Sequence, residues 1–115
     1  MPRNLAELLQ DKFGTKATPF KNRLGVATIG LSAVKIYGND PTRFVMEFFN
    51  LSASNIYLLD DPSVSATKGI LCGPNGGSVV LLWEEDFELV ANEFWAIGQG
   101  AALSYLAYEI VAGGA

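Results

Sequence analysis

Histidine is absent and cysteine occurs once, as Cys72. Without imidazole the chain lacks the commonest general base and the commonest transition-metal ligand. Ser-His-Asp and Cys-His triads are excluded, and so is a Cys/His structural zinc site. A single thiol excludes an internal disulfide, and Cys72 reads as a small buried hydrophobe. No run approaches the roughly 18 apolar residues of a membrane-spanning helix. The start carries Arg3 with no continuous apolar segment behind it, so it does not read as a signal peptide. The expectation is a protein made in a cytoplasm, with no cofactor, no metal and no membrane contact.

Bases are scarce beyond residue 43, where Lys68 alone stands against nine acids. The first 43 residues hold seven bases and three acids, within a net charge of −4. A basic front on an acidic body suggests an acidic partner for the front, or head-to-tail contact between copies. Half of the 115 residues are apolar, enough for one domain with one core.

The chain is organised around residues 69–83, which read as a short strand, a tight turn and a longer strand. Asn75-Gly76-Gly77 after Pro74 is hairpin chemistry, because Asn and Gly take positive φ at little cost. In the longer strand both parities are apolar: Val79, Leu81 and Trp83 on one face, Val80 and Leu82 on the other. A strand covered on one face alternates with polar residues, so this one is expected to be buried on both sides.

Elsewhere the signals run in order. Asn4 and Glu7 form a capping box, and Leu5, Leu8, Leu9 and Phe13 follow at helical spacing. This predicts a short amphipathic helix over 4–13, too short to stand alone in water. Residues 15–23, with Lys16, Lys21, Arg23 and Pro19, read as an extended arm, either a solvated linker or a strap across a neighbour. Strand periodicity is expected from Leu24 to Ile29, with Val26 and Thr28 opposed to Ala27 and Ile29. It continues in 34–37, where Val34 and Ile36 oppose Lys35 and Tyr37. In 43–50, Phe44, Met46 and Phe48 oppose Val45, Glu47 and Phe49. Further strands are expected at 55–59, 63–67 (an edge), 93–97 and 101–111. Glu84, Glu85, Asp86 and Glu88 read as a solvated loop or a hard-cation site, without the spaced order of an EF-hand.

Strands with turn signals every 8–12 residues predict an all-β fold, an antiparallel β-sandwich or jelly roll of about eight strands with a short N-terminal helix and extended arm. The expected division is 1–22 for helix and arm, 23–111 for the β-sandwich domain and 112–115 for a tail. The glycine-rich turn lacks the Lys-Ser/Thr of a phosphate loop. Tyr37 and Lys35 come close to a nucleic-acid strip, but the acidic body argues against nucleic acid. No pair of acids has a glycosidase setting, and no enzymatic activity is expected.

Residues 43–111 resemble a small β-sandwich module of tailed-phage virion proteins, the capsid decoration or cement proteins and head-fibre or tail-fibre attachment domains. The matching elements are the strand from Arg43 to Asn50, Asn55-Ile56-Tyr57-Leu58, a Ser65 to Leu71 step and the Pro74 to Ser78 turn. Trp95-Ala96-Ile97 and a closing strand ending in Tyr108-Glu109 complete the set. The resemblance implies a non-enzymatic role in the virion, with the major capsid protein or another virion protein as partner, often as a homotrimer. The acidic 84–88 stretch and the N-terminal segment depart from it. The candidate assembly residues are Leu5, Leu8, Leu9, Phe13, Lys16, Lys21, Arg23, Val80, Leu82 and Trp95. The alternative is a small carbohydrate-binding β-sandwich, a monomer with a groove lined by Trp83, Trp95 or tyrosines.

Overall fold

A computed structural model describes residues 17–112. The helix expected over 4–13 and the tail from 113 lie outside the described residues. Eight strands run in the order β1 (Ala17–Lys21), β2 (Val34–Tyr37), β3 (Arg43–Asn50), β4 (Ile56–Leu59), β5 (Ile70–Cys72), β6 (Gly77–Leu82), β7 (Phe94–Gly98) and β8 (Tyr105–Ala112). Between β6 and β7 lie a helical turn, α1 (Trp83–Asp86), and a 3-10 turn at Phe87–Ala91.

All pairings are antiparallel, and they form two four-stranded sheets ordered β1-β8-β3-β6 and β2-β7-β4-β5. The pairs are thus first with last, second with seventh, third with sixth and fourth with fifth. This is one long hairpin rolled into two facing sheets, the jelly-roll arrangement. The inner faces meet in a core that includes Ile29, Ile36, Met46, Phe48, Ile56, Leu58, Phe94 and Ala96, all fully or almost fully buried. Phe48 stacks on Tyr105 with centroids 5.6 Å apart, and Tyr37 meets Phe94 edge-on at 6.4 Å.

Two bulges correct the expected faces. Arg43 pairs with Val111 and Val45 with Ile110, so Phe44 is an extra residue on β3. The parity shift turns Arg43 inward, 3% exposed, while Phe44 is half-buried rather than facing the core with Met46. In β2, Lys35 pairs with Trp95 and Tyr37 with Phe94, which makes Ile36 the extra residue. Tyr37 is therefore buried beside Ile36 instead of sharing an outer face with Lys35.

The arm is a second correction. Residues 17–21 are extended, but they are hydrogen-bonded to β8 as the margin of the first sheet, so the β domain begins before residue 23. Residues 24–28 form no strand, and Ile29 makes an isolated bridge to Leu103. Residues 63–67 are a turn rather than an edge strand: Ser63 N–H donates to Asp61 at 2.9 Å, and Ser65 bridges to Lys68.

The expected hairpin at 69–83 is not one. The turn has the anticipated chemistry, with Asn75 at φ 59 and Gly76 at φ 98. Yet β5 joins β4 in one sheet and β6 joins β3 in the other. The turn is pinned to the far end of β3, where Asn75 N–H donates to Ser52 O and Gly76 N–H to Asn50 O, both at 2.7 Å. It therefore climbs between sheets. A Cβ on Gly77 would lie 2.3 Å from Gly73 O, so this climb requires glycine. Gly77→Ala is expected to destabilise by about 1–3 kcal/mol through overpacking. Gly76→Ala, where space is open, should cost about 1–2 kcal/mol through its positive φ alone. Urea unfolding of both variants checks the order.

Candidate assembly surfaces and the polar clamp

The structure brings together a group of charges that sequence reasoning did not assemble. Arg43 Nε donates to Glu109 Oε1 at 2.9 Å, with both side chains almost wholly buried. One terminal nitrogen of Arg43 donates to Val90 O (3.2 Å) and Asn92 O (3.0 Å), and the other to Gly38 O (2.6 Å). Its guanidinium also lies 5.2 Å from the Tyr37 ring centre. Arg23 joins from outside, 2.8 Å from Asp40 and 3.3 Å from Glu109, stacked over Phe20 at 4.5 Å. Two cations and two anions thus close one end of the sandwich.

The environments follow from these contacts. Burial alone would push the Asp40 carboxyl up, but the Thr42 hydroxyl (2.6 Å), the Thr42 N–H (2.9 Å) and Arg23 outweigh it and hold Asp40 below its usual range. The Asp40 hydrogen bond, outweighing partial burial, raises Arg23. Burial first, then the Glu109 charge, pushes the Tyr37 phenol well above its usual value. The Tyr37 hydroxyl, 2.7 Å from Glu47 O and 3.1 Å from Tyr108 O, crosses the core to the opposite sheet. Among the described residues no buried side-chain polar atom lacks a partner.

At its other end β3 finishes on Asn50, fully buried. Its amide donates to Ser54 O (2.7 Å) and Cys72 O (3.0 Å), and its carbonyl oxygen accepts from Ser52 N–H and hydroxyl. The Cys72 thiol faces Gly77 O at 3.1 Å, and burial raises its pKa, in keeping with a packed rather than reactive sulfur.

The candidate assembly residues are distributed as follows. Leu5, Leu8, Leu9, Phe13 and Lys16 lie outside the described residues. Lys21 is exposed at the end of β1, 5.6 Å from the Tyr108 ring centre. Arg23 belongs to the clamp. Val80 and Leu82 lie on the outer face of β6, Val80 47% exposed and Leu82 half-buried. Among the described residues, then, only one face of β6 is buried. Trp95 lies on the outer face of the other sheet, with Nε1 donating to Glu93 (2.6 Å) and Lys35 Nζ 5.4 Å from its ring centre.

Register places these residues in apolar rows. On the first sheet's outer face, Leu82, Val45, Ile110 and Pro19 form one row and Ser78, Phe49 and Leu106 another. Between them lie Val80, Glu47, Tyr108 and Lys21. On the second, Leu71, Tyr57 and Ile97 adjoin Leu59, Trp95 and Lys35, with Leu71 56% exposed. Among the described residues both sheets thus carry largely apolar outer faces with few charges. Sequence reasoning named four of these residues, Lys21, Val80, Leu82 and Trp95. The two-sided apolar pattern of 43–49 and 105–111 carried the same signal.

A groove of about 780 Å³ lies beside the clamp, lined by Pro41, Phe44, Trp83, Val90, Asn92 and Ala112 among others. It includes Trp83 but not Trp95, so the two tryptophans do not share it. The acidic stretch is helical at 83–86, and Asp86 accepts from Leu82 N–H at 2.9 Å. Among the described residues no three carboxylates or thiols converge as a metal site, and no helix is long and apolar enough to cross a membrane. Comparison with protein-family models, curated proteins and solved structures finds no match.

Two expectations follow for the clamp. Glu109→Gln leaves the Arg43 charge buried without its anion, and should cost about 3–5 kcal/mol in urea unfolding. Asp40→Asn should cost about 1–2 kcal/mol near neutral pH. A carboxyl lowered on folding stabilises above its unfolded pKa of about 3.9, and that contribution is lost as pH falls through the lower folded value. The gap between wild type and Asp40→Asn should therefore close in strongly acidic buffer.

Proposed function

We propose that this chain is a non-enzymatic structural protein of a tailed-phage virion, of the decoration, cement or head-fibre adaptor type. It is made in the host cytoplasm and acts by binding the shell and its own copies. The observation that carries this reading is the pair of apolar outer sheet faces, left over after the core and the polar clamp are complete. Jelly rolls recur in viral coats, lectins and cupins, so the fold alone does not decide among them. The clamp supports a structural role, because Arg43 and Glu109 at its centre are almost wholly buried and engaged with each other and with backbone. The basic front on an acidic body supports contact between unlike surfaces. Charges of this kind raise on-rate and set orientation, while apolar burial supplies affinity.

Surface plasmon resonance against empty capsids of the source phage tests the reading. Because residues 17–21 form β1, the informative truncation removes residues 1–16. It should retain a cooperative melt but bind weakly, having lost the Leu5, Leu8, Leu9 and Phe13 stripe. Neutralising Lys12, Lys16 and Lys21 should slow association by roughly tenfold at low salt and flatten its salt dependence, with little change in off-rate. Arg23 is left in place, since its removal would disturb the clamp. Undetectable binding by the wild-type chain would contradict the reading.

A further inference from the structure

The four strands at the sheet margins are not equivalent. β1 carries Pro19 at its centre and Lys21 at its end, and both features blunt a margin. β2 is kinked by its bulge and bears Lys35, and β5 has three residues. β6 has six residues, no proline and no charge, and Ser78 and Val80 are exposed.

The direction of its backbone groups follows from the ladder. Leu51 N–H donates to Ser104 O at 3.1 Å, one step beyond the Asn50–Tyr105 pair. Odd-numbered residues of β3 therefore bond to β8, and Met46, Phe48 and Asn50 bond to β6. Their partners are Leu81, Val79 and Gly77, so Ser78, Val80 and Leu82 turn their N–H and C=O groups away from the sheet. Leu82 N–H is taken by the Asp86 carboxylate and Gly76 N–H by Asn50 O. Between these occupied ends remain the N–H and C=O groups of Ser78 and Val80.

We propose that this margin pairs with β6 of a second copy, antiparallel about a twofold axis at Val79. In that register Ser78 faces the partner subunit's Val80, and Val80 faces the partner subunit's Ser78. Four backbone hydrogen bonds form. The two N–H groups already in use, at Gly76 and Leu82, fall opposite each other across the axis, so neither is asked to donate. That self-matching points to an identical strand rather than a foreign one, and makes the contact isologous. The result is a continuous eight-stranded sheet whose outer rows run from one copy to the next. The inference deepens the assembly reading by naming its copy-to-copy contact, and it makes that contact twofold rather than threefold.

Sedimentation velocity of the full chain, across the micromolar range, tests it with three variants. Val80→Pro removes an N–H that points away from the sheet, a place where edge strands tolerate proline. Val80→Lys keeps every backbone group and adds an edge charge, which covers the case of a proline variant that does not fold. Val80→Thr keeps the β-branched shape and the pairing. Wild type and Val80→Thr should sediment with twice the chain mass, and the folded Pro and Lys variants with half of that. A monomeric wild type, or an oligomer unchanged by both Val80→Pro and Val80→Lys, would overturn the proposal. Mass is read without capsids, so the edge contact and the capsid-binding reading fail separately.

Discussion

The guanidinium of Arg43 is the contact on which the sandwich most depends. It leaves the first sheet from a bulge in β3 and reaches Glu109 on β8, Gly38 after β2 and the Val90–Asn92 backbone before β7. One side chain thus ties two strands of one sheet to the ends of two strands of the other. Removing such a charge from water is costly, and is offset by its anion and by three carbonyls. Asn50 does the same at the opposite end of β3 with neutral groups, holding the turn that carries the chain from β5 to β6. Between them, Tyr37 reaches from β2 across the core to the backbone of β3 and β8. The apolar core supplies the bulk of the driving force, and these polar contacts fix how the two sheets sit on each other.

Those contacts explain what could be read from the chain beforehand. Alternation and turn residues were enough for the number of strands, the all-β class and most of the strand positions. The bulges at Phe44 and Ile36 were invisible, because a one-residue insertion is decided by pairing with a distant strand. Residues 69–83 had sound turn chemistry, but local sequence does not say whether two strands flanking a turn pair or part. Asn50 and Ser52, more than twenty residues upstream, decide it. Residues 17–21 lacked a period because Pro19 and Lys21 suit a margin strand. Glu109 was not singled out, because both parities of 105–111 are apolar and only the pairing of β8 shows that it faces inward with Tyr105, Ala107 and Val111.

The apolar outer faces were legible in kind more than in place. The strand at 79–83 was expected to be buried on both sides, yet Val79 and Leu81 face the core while Val80 is 47% exposed on the outer face. Arg23 was grouped with the arm, yet it is held by Asp40 and Glu109. Among the described residues, apolar rows lie on the outer faces of both sheets, with Glu47 on the interior strand β3 as a charge within one of them.

Hydroxyl-radical footprinting of the chain, free at low concentration and in intact virions, tests this account most directly. The account predicts that Val80, Leu82, Tyr108, Leu71 and Trp95 lose labelling in the virion, while Leu31, 68% exposed and outside the strands, keeps it. Equal labelling of the outer-face residues in both states would contradict it.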